Sequence, residues 1–220
     1  TSLAGSQNVI EALNIKMPKT SEDVLEDLKD RSYSYLSAPL FNSELSKYRQ
    51  IRKSMGMPTI FNVLGPLLHP MQPKRMVIGV YSRDLMHSVA EILKSMKVRH
   101  AMVVHSKEGM DEISISHSTE VIEIKNQITK SYQISPTDFG FSYAKLTDVL
   151  GGNAYENANI ITELFAGNLQ GPKLDILILN AAAGLYVSGK ATSLEQGIVL
   201  ARLAIEEGRA LRLLNTLRMN

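Results

Sequence analysis

The sequence predicts an α/β fold with a mixed, largely parallel central sheet flanked by helices, and three observations carry that expectation. Arg75–Tyr81 and His100–His105 are compact apolar runs of strand length. Between them Met86, Val89, Ala90, Leu93 and Met96 fall on one face of a helix. Runs that are apolar throughout suit strands covered on both faces, as when parallel strands are joined by a helix. Further on, Glu120–Ile124 and Ile128–Ile134 alternate apolar with polar residues around Lys125-Asn126-Gln127, as in a half-exposed antiparallel hairpin, which makes the sheet mixed.

The remaining elements are predicted to be mostly helical. Ser6 is placed to cap a helix carrying Val9, Ile10 and Leu13, and Thr20-Ser21-Glu22-Asp23 opens a second with Val24, Leu25 and Leu28. Tyr33–Ala38 reads as a short strand ended by Pro39, followed by a helix near Glu44–Met55 that Gly56 stops and that carries Arg52 near its end. In the last third, Asn153-Ala154-Tyr155-Glu156 fits a capping box before Ala158, Ile161, Leu164 and Phe165. Asp175–Val187 is apolar and Ala-rich, hence buried, and Ser193-Leu194-Glu195-Gln196 opens a long closing helix. With no internal repeat, low-complexity segment or long linker, residues 1–220 are expected to form a single α/β domain.

Composition narrows the function classes. A chain of 220 residues, 44% hydrophobic, can bury a real core. The 24 Lys+Arg stand against 22 Asp+Glu, a formal charge of +2 that is too small and too evenly spread for a nucleic-acid face. Without cysteine there is neither a disulfide framework nor a thiolate metal site, so a metal would be held by oxygen or imidazole, which favours magnesium-type chemistry. No stretch reaches the roughly 18 apolar residues of a membrane span, and no basic segment leads into a long apolar run near the start. A cytoplasmic location is expected. The chain opens at Thr1 without Met, and the ordinary helical pattern of Ser6–Leu13 raises the expectation that a segment precedes it.

Candidate chemistry concentrates in a few places. Gly109-Met110-Asp111-Glu112 follows the strand ending near His105, where open α/β sheets place ligands. In an irregular segment, adjacent carboxylates can turn toward one magnesium, which takes one or two carboxylates plus waters and substrate phosphate. A solvated acidic turn is the commoner fate of such a pair, so spacing alone leaves both readings open. Phe61–Pro70 holds Gly65, which permits close backbone approach, and Pro66, which fixes φ; it reads as a shaped loop or as a structural crossover. Arg52 carries a fork of donors suited to a carboxylate, though a lone helical Arg is more often a solvated charge. The five His residues show no metal spacing, and the ten Met residues sit mostly at apolar positions, as core filler.

Together, Gly5–Leu13, Ile51-Arg52-Lys53-Ser54-Met55-Gly56, Thr59–Leu67 and Gly109–Glu112 make an ordered set that resembles anthranilate phosphoribosyltransferase. The likeness continues through Ile78–Tyr81, Pro136–Gly140, Gly151–Ala158 and Leu179–Val187, and so spans essentially the whole chain. The resemblance implies a phosphoribosyltransferase or nucleoside phosphorylase type of fold. It implies magnesium-dependent transfer of a phosphoribosyl group from phosphoribosyl pyrophosphate to anthranilate, in tryptophan biosynthesis, by a homodimeric parent enzyme. It implies that Asp111 and Glu112 bind Mg2+, that Arg52 contacts the anthranilate carboxylate with Gly65 and Pro66 beside that substrate, and that Ser6 lies near the phosphoribosyl pyrophosphate. Thr1 and Ser2 then end a longer phosphate-binding stretch. The family's Gly-Thr-Gly-Gly-Asp, Asn-Ile-Ser-Thr and Lys-His-Gly-Asn segments would precede Thr1, as would its N-terminal helical domain, so the 220 residues alone are expected to show little or no activity. Leu3-Ala4, Asn42-Ser43, Pro58 and His69 depart from the usual Lys-Ser, His-Pro, Arg and Asn, and bear on substrate identity more than on fold. Two other readings remain in play: a pyrimidine nucleoside phosphorylase, and a catalytically silent paralogue that binds nucleic acid or protein.

Overall fold

A computed structural model of the chain describes residues 4–42 and 61–218. The described residues divide into two compact units. One draws on Thr1–Met57, Leu150–Gln170 and Ala204–Asn220, the other on Pro58–Val149 and Gly171–Leu203.

The second unit holds the sheet. Its strands are β1 (Arg75–Gly79), β2 (His100–Ser106), β3 (Thr119–Lys125) and β4 (Ile128–Ile134), adjacent in that order. β1 and β2 are parallel, with Arg75 opposite His100 and Gly79 opposite Val104. β3 is antiparallel to both β2 and β4. The sheet is therefore mixed, as expected, but among the described strands the parallel share is one pair. The β3–β4 hairpin turns on Asn126 and Gln127, which both adopt positive φ, 50° and 67°, the two-residue turn whose twist suits antiparallel strands, while β3 reaches β2 through the longer connection after Ser106.

Helices cover both faces of this sheet. On one side α5 (Asp84–Ser95) buries Met86, Val89, Ala90 and Leu93 against Ile78, Ala101, Val103, Ile122 and Ile124. On the other, α8 (Pro172–Ser188) lies along β1 and β2, its Tyr186 hydroxyl reaching Glu123 of β3. Sandwiched in this way, β2 is buried at every position, which is why its run carries no polar alternation. α8 starts at Pro172, where a missing N–H costs nothing, and ends at Gly189 with φ of 81°. α9 (Leu194–Glu206) packs Gly197 directly on the Ala182 backbone of α8.

The expected loop at Gly65-Pro66 is instead helical, α4 (Phe61–Leu67), with Pro66 inside it. Val63 and Leu67, four residues apart, are both buried in the α5 core cluster. Pro66 falls in the last described turn, so its missing N–H leaves the burial of that i, i+4 pair intact, and packing overrides the local breaker signal.

The first unit is helical: α1 (Ser6–Ala12), α2 (Ser21–Arg31), α3 (Ala38–Phe41), α7 (Ala154–Phe165) and α10 (Arg209–Leu217). Leu13, Ile15, Ala158, Leu214 and Leu217 form its core, with Tyr33, Ile161 and Phe165 packed on them. Arg218 ties chain ends together, pairing with Ile15 and donating from Nη2 to the Thr162 hydroxyl at 2.8 Å. The capping box at Asn153 with Glu156 is formed as the sequence predicts, and the helix expected to open at Thr20 does so on a second capping box, Thr20 with Asp23. Three expectations change. Gly5, not Ser6, is the N-cap of α1. Tyr33–Ser37 forms no strand, since Tyr33 packs on helices and finds no strand partner among the described residues. The closing helix is two helices, because Gly208 takes a φ of 68° between α9 and α10. The helix expected near Glu44–Met55, including Arg52, lies outside the described residues. The short elements α6 (Leu146–Val149) and a 3-10 turn at Pro136–Phe139 complete the sheet unit.

Candidate active site

The chain leaving β2 must reverse within a few residues to enter β3, and its first turn is built on Ser106. The Ser106 carbonyl accepts from Gly109 N–H at 2.9 Å, its N–H donates to the Met110 carbonyl at 3.0 Å, and its hydroxyl accepts from Met110 N–H at 3.0 Å. Gly109 takes a φ of 92°, open to glycine and strained for other residues. The chain then crosses the carboxyl end of β1 so closely that a Cβ on Gly79 would lie 1.6 Å from the Asp111 carbonyl oxygen. Asp111 and Glu112 follow, both exposed, at the carboxyl ends of the parallel pair.

Beyond them the loop plunges back into the protein. Ile113 and Ile115 are fully buried. Asn180 of α8 grips Ile113 on both sides: its Oδ1 accepts from Ile113 N–H at 3.0 Å and its Nδ2 donates to the Ile113 carbonyl at 2.8 Å. The Ser114 hydroxyl donates to Glu108 and accepts from Ser116 N–H, while Ser114 N–H donates to the Thr119 hydroxyl at 3.0 Å. His105 Nδ1 donates to the Val80 carbonyl at 2.8 Å, fastening the end of β2 to the residue after Gly79.

The electrostatics of the pair suit a cation. Although Glu112 reaches solvent, the protein mass around it raises its pKa by desolvation, and the neighbouring Asp111 charge raises it further. A divalent cation held by Asp111 and Glu112 would supply positive charge that favours the ionised form of both. Among the described residues no three His, Asp or Glu side chains gather into a cage that could hold a metal unaided. That donor set, two adjacent carboxylates and open solvent, fits magnesium, which keeps waters and shares substrate phosphate oxygens, better than zinc.

The other sequence-predicted site residues are distributed as follows. Gly65 is half-buried and Pro66 exposed on α4, whose Val63 and Leu67 share a core cluster with Ile78 and Val80, the residues flanking Gly79. Ser6 is exposed at the start of α1, in the other unit, where Gly5 takes the N-cap position. Thr1, Ser2 and Arg52 lie outside the described residues.

Residues 1–211 match the model of a glycosyl transferase family, specifically its a/b domain. The chain belongs to this family. The glycosyl transferase domain is 39% identical over 98% of its length to an anthranilate phosphoribosyltransferase of Acetivibrio thermocellus, covering 62% of that protein. It is also 39% identical over 99% of its length to one of Methanosarcina acetivorans, covering 58%. Among solved structures, the anthranilate phosphoribosyltransferase of Thermus thermophilus superposes with a TM-score of 0.87 at 32% identity, over 96% of this chain and 63% of that one. The Saccharomyces cerevisiae enzyme in complex with PRPP and Mg gives 0.86 at 31% identity, over 96% and 61%. The chain thus spans about three fifths of the length of these relatives.

Sequence reasoning missed the residues that hold the acidic loop of this glycosyl transferase domain. Asn180 carries a readable signal: it is a polar residue amid the apolar stretch Ile176–Ala183, and such a residue is hydrogen-bonded to something. Gly79 and Ser106 carry none, since only the folded crossing shows what approaches them. A second polar group, at the far end of the same strands, was also missed. Glu123 accepts from Tyr186 and Tyr132 hydroxyls at 2.8 and 3.0 Å and from His100 Nε2 at 2.8 Å. Burial pushes Glu123 up, but its three hydrogen bonds together outweigh burial and hold it below the ordinary carboxylate range. Burial pushes His100 down against the pull of Glu123, so the pair is neutral imidazole and carboxylate. All its members being partnered, this network is structural.

Proposed function

We propose that this chain is the greater part of the catalytic portion of an anthranilate phosphoribosyltransferase, which transfers the phosphoribosyl group of phosphoribosyl pyrophosphate to the amino group of anthranilate, with loss of pyrophosphate, in tryptophan biosynthesis. The observation that carries this reading is the presentation of Asp111 and Glu112 side by side at the carboxyl ends of β1 and β2, in a chain similar to such enzymes over nearly its whole length.

The reaction asks little covalent chemistry of a protein. A poorly nucleophilic aromatic amine must be held against the anomeric carbon while the leaving pyrophosphate is neutralised, so position and electrostatics supply most of the acceleration. Asp111 and Glu112 would hold Mg2+, which when bound neutralises diphosphate charge. Ser6 would contact phosphoribosyl pyrophosphate, with Thr1 and Ser2 ending a phosphate-binding stretch. Arg52 would pair with the anthranilate carboxylate, and Gly65 and Pro66, both on α4, would lie beside that substrate. The parent enzyme would act as a cytoplasmic homodimer, and residues 1–220 as one catalytic domain.

The test uses the full-length protein and follows loss of anthranilate fluorescence. Turnover should require both phosphoribosyl pyrophosphate and Mg2+ and stop with chelator, and Asp111→Asn should raise the Mg2+ concentration for half-maximal rate by about tenfold or more. Phosphorolysis of uridine with no consumption of anthranilate would replace this reading with a nucleoside phosphorylase; salt-sensitive DNA binding without turnover would replace it with a silent paralogue.

A further inference from the structure

We infer that Asn180 is a positioning residue for the metal–diphosphate subsite, aiming the Asp111 and Glu112 carboxylates by clamping the backbone immediately after them. The inference rests on the assignment of that pair to magnesium.

Asn180 lies 67 positions from Ile113 in sequence, yet one side-chain amide satisfies both Ile113 backbone groups, at 3.0 and 2.8 Å. Nδ2 also donates to the Ile176 carbonyl of its own helix at 2.9 Å, which fixes the amide orientation and assigns oxygen and nitrogen without ambiguity. Upstream, the Asp111 carbonyl sits over Gly79 with no room for a Cβ, so the chain is pinned there by contact with β1. Asp111 thus sits at a fixed point on the sheet and Ile113 at a fixed point on α8, and Glu112 alone separates them. Over so short a span, the peptide planes that aim Asp111 and Glu112 have little freedom left. Rotation of the Asn180 amide, or loss of one of its two poles, frees the downstream end while leaving the carboxylates themselves in place. Groups that orient metal-binding side chains in this manner typically alter metal affinity about 10- to 100-fold when removed.

The experiment compares Asn180→Asp and Asn180→Ala with wild type in the full-length protein. Asn180→Asp keeps the acceptor for Ile113 N–H but turns a second oxygen on the Ile113 and Ile176 carbonyls. Mn2+ binding in the presence of phosphoribosyl pyrophosphate, read by electron paramagnetic resonance, should weaken about tenfold or more in both variants. The Mg2+ concentration for half-maximal rate should rise in parallel, with maximal rate restored by excess Mg2+ and the KM for anthranilate unchanged. Hydrogen exchange at the Ile113 amide should quicken in Asn180→Ala. A merely structural role would lower maximal rate and melting temperature with no rescue by metal. If Asn180→Ala does not fold, the near-isosteric Asp variant decides alone. Wild-type Mn2+ affinity in Asn180→Asp, alongside weakened binding in Asp111→Asn, overturns the positioning role and leaves the magnesium assignment intact. Unchanged binding in Asp111→Asn overturns both.

Discussion

Glu123 shows how one residue can bind three elements. Its carboxylate sits on β3 and collects donors from β2, β4 and α8, and Lys125 lies 4.8 Å from the centre of the Tyr186 ring at the edge of the group. Tyr186 is pushed up to about 12, by burial first and by its bond to Glu123, so it stays a donor throughout the physiological range. Replacing Glu123 by Ala leaves three donors facing no acceptor, and should destabilise the fold by about 1–3 kcal/mol in denaturant titrations. The pH dependence follows from the two depressed pKa values. His100 lies below its ordinary 6.5 and Glu123 below its ordinary 4.5, so in both cases the unfolded chain binds the proton more readily. Their contribution is full above 6.5, begins to fall as pH drops through that value on account of His100, and falls again below 4.5 on account of Glu123. Unfolding free energy measured from pH 7 to 4 should therefore decline, and His100→Gln should flatten the part that begins near 6.5.

Elements were legible where a local code and a tertiary need agree. The start of α2 at Thr20, the capping box of α7, the α5 stripe and the hairpin around Lys125-Asn126-Gln127 are legible in the sequence, because each depends on residues a few positions apart. Tyr33–Ser37 and α4 were misread because what they pack against lies far away in sequence. The contact between α8 and α9 is of the same long-range kind. A methyl on Gly197 would lie 2.6 Å from the Ala182 carbonyl, a backbone atom that cannot swing aside. Ala favours a helix over Gly by about 1 kcal/mol, but overpacking costs about 1–3 kcal/mol. Gly197→Ala should therefore be net destabilising, and a rise in melting temperature would show that the two helices can part without cost.

For the molecule as a whole, charge balance and hydropathy exclude more than they assign. No helix among the described residues is long and apolar enough to cross a membrane. The two compact units interleave along the chain, since the first is assembled from three segments and the second from two. The single-domain reading has a measurable consequence: urea unfolding should give one transition with coincident tryptophan-independent probes, such as tyrosine fluorescence and far-ultraviolet circular dichroism. Two resolved transitions would mean that each unit is a domain of its own.

By itself the sequence determined the fold class, the strand and helix periodicities, and which acidic pair stands at the carboxyl end of β2, because periodicity, caps and turns are short-range properties of the chain. Only the tertiary structure decided which way that pair is held. The crossing over Gly79 and the grip of Asn180 join residues 32 and 67 positions apart from their partners, and no local pattern encodes a contact whose two halves meet only after the sheet and its covering helix have packed.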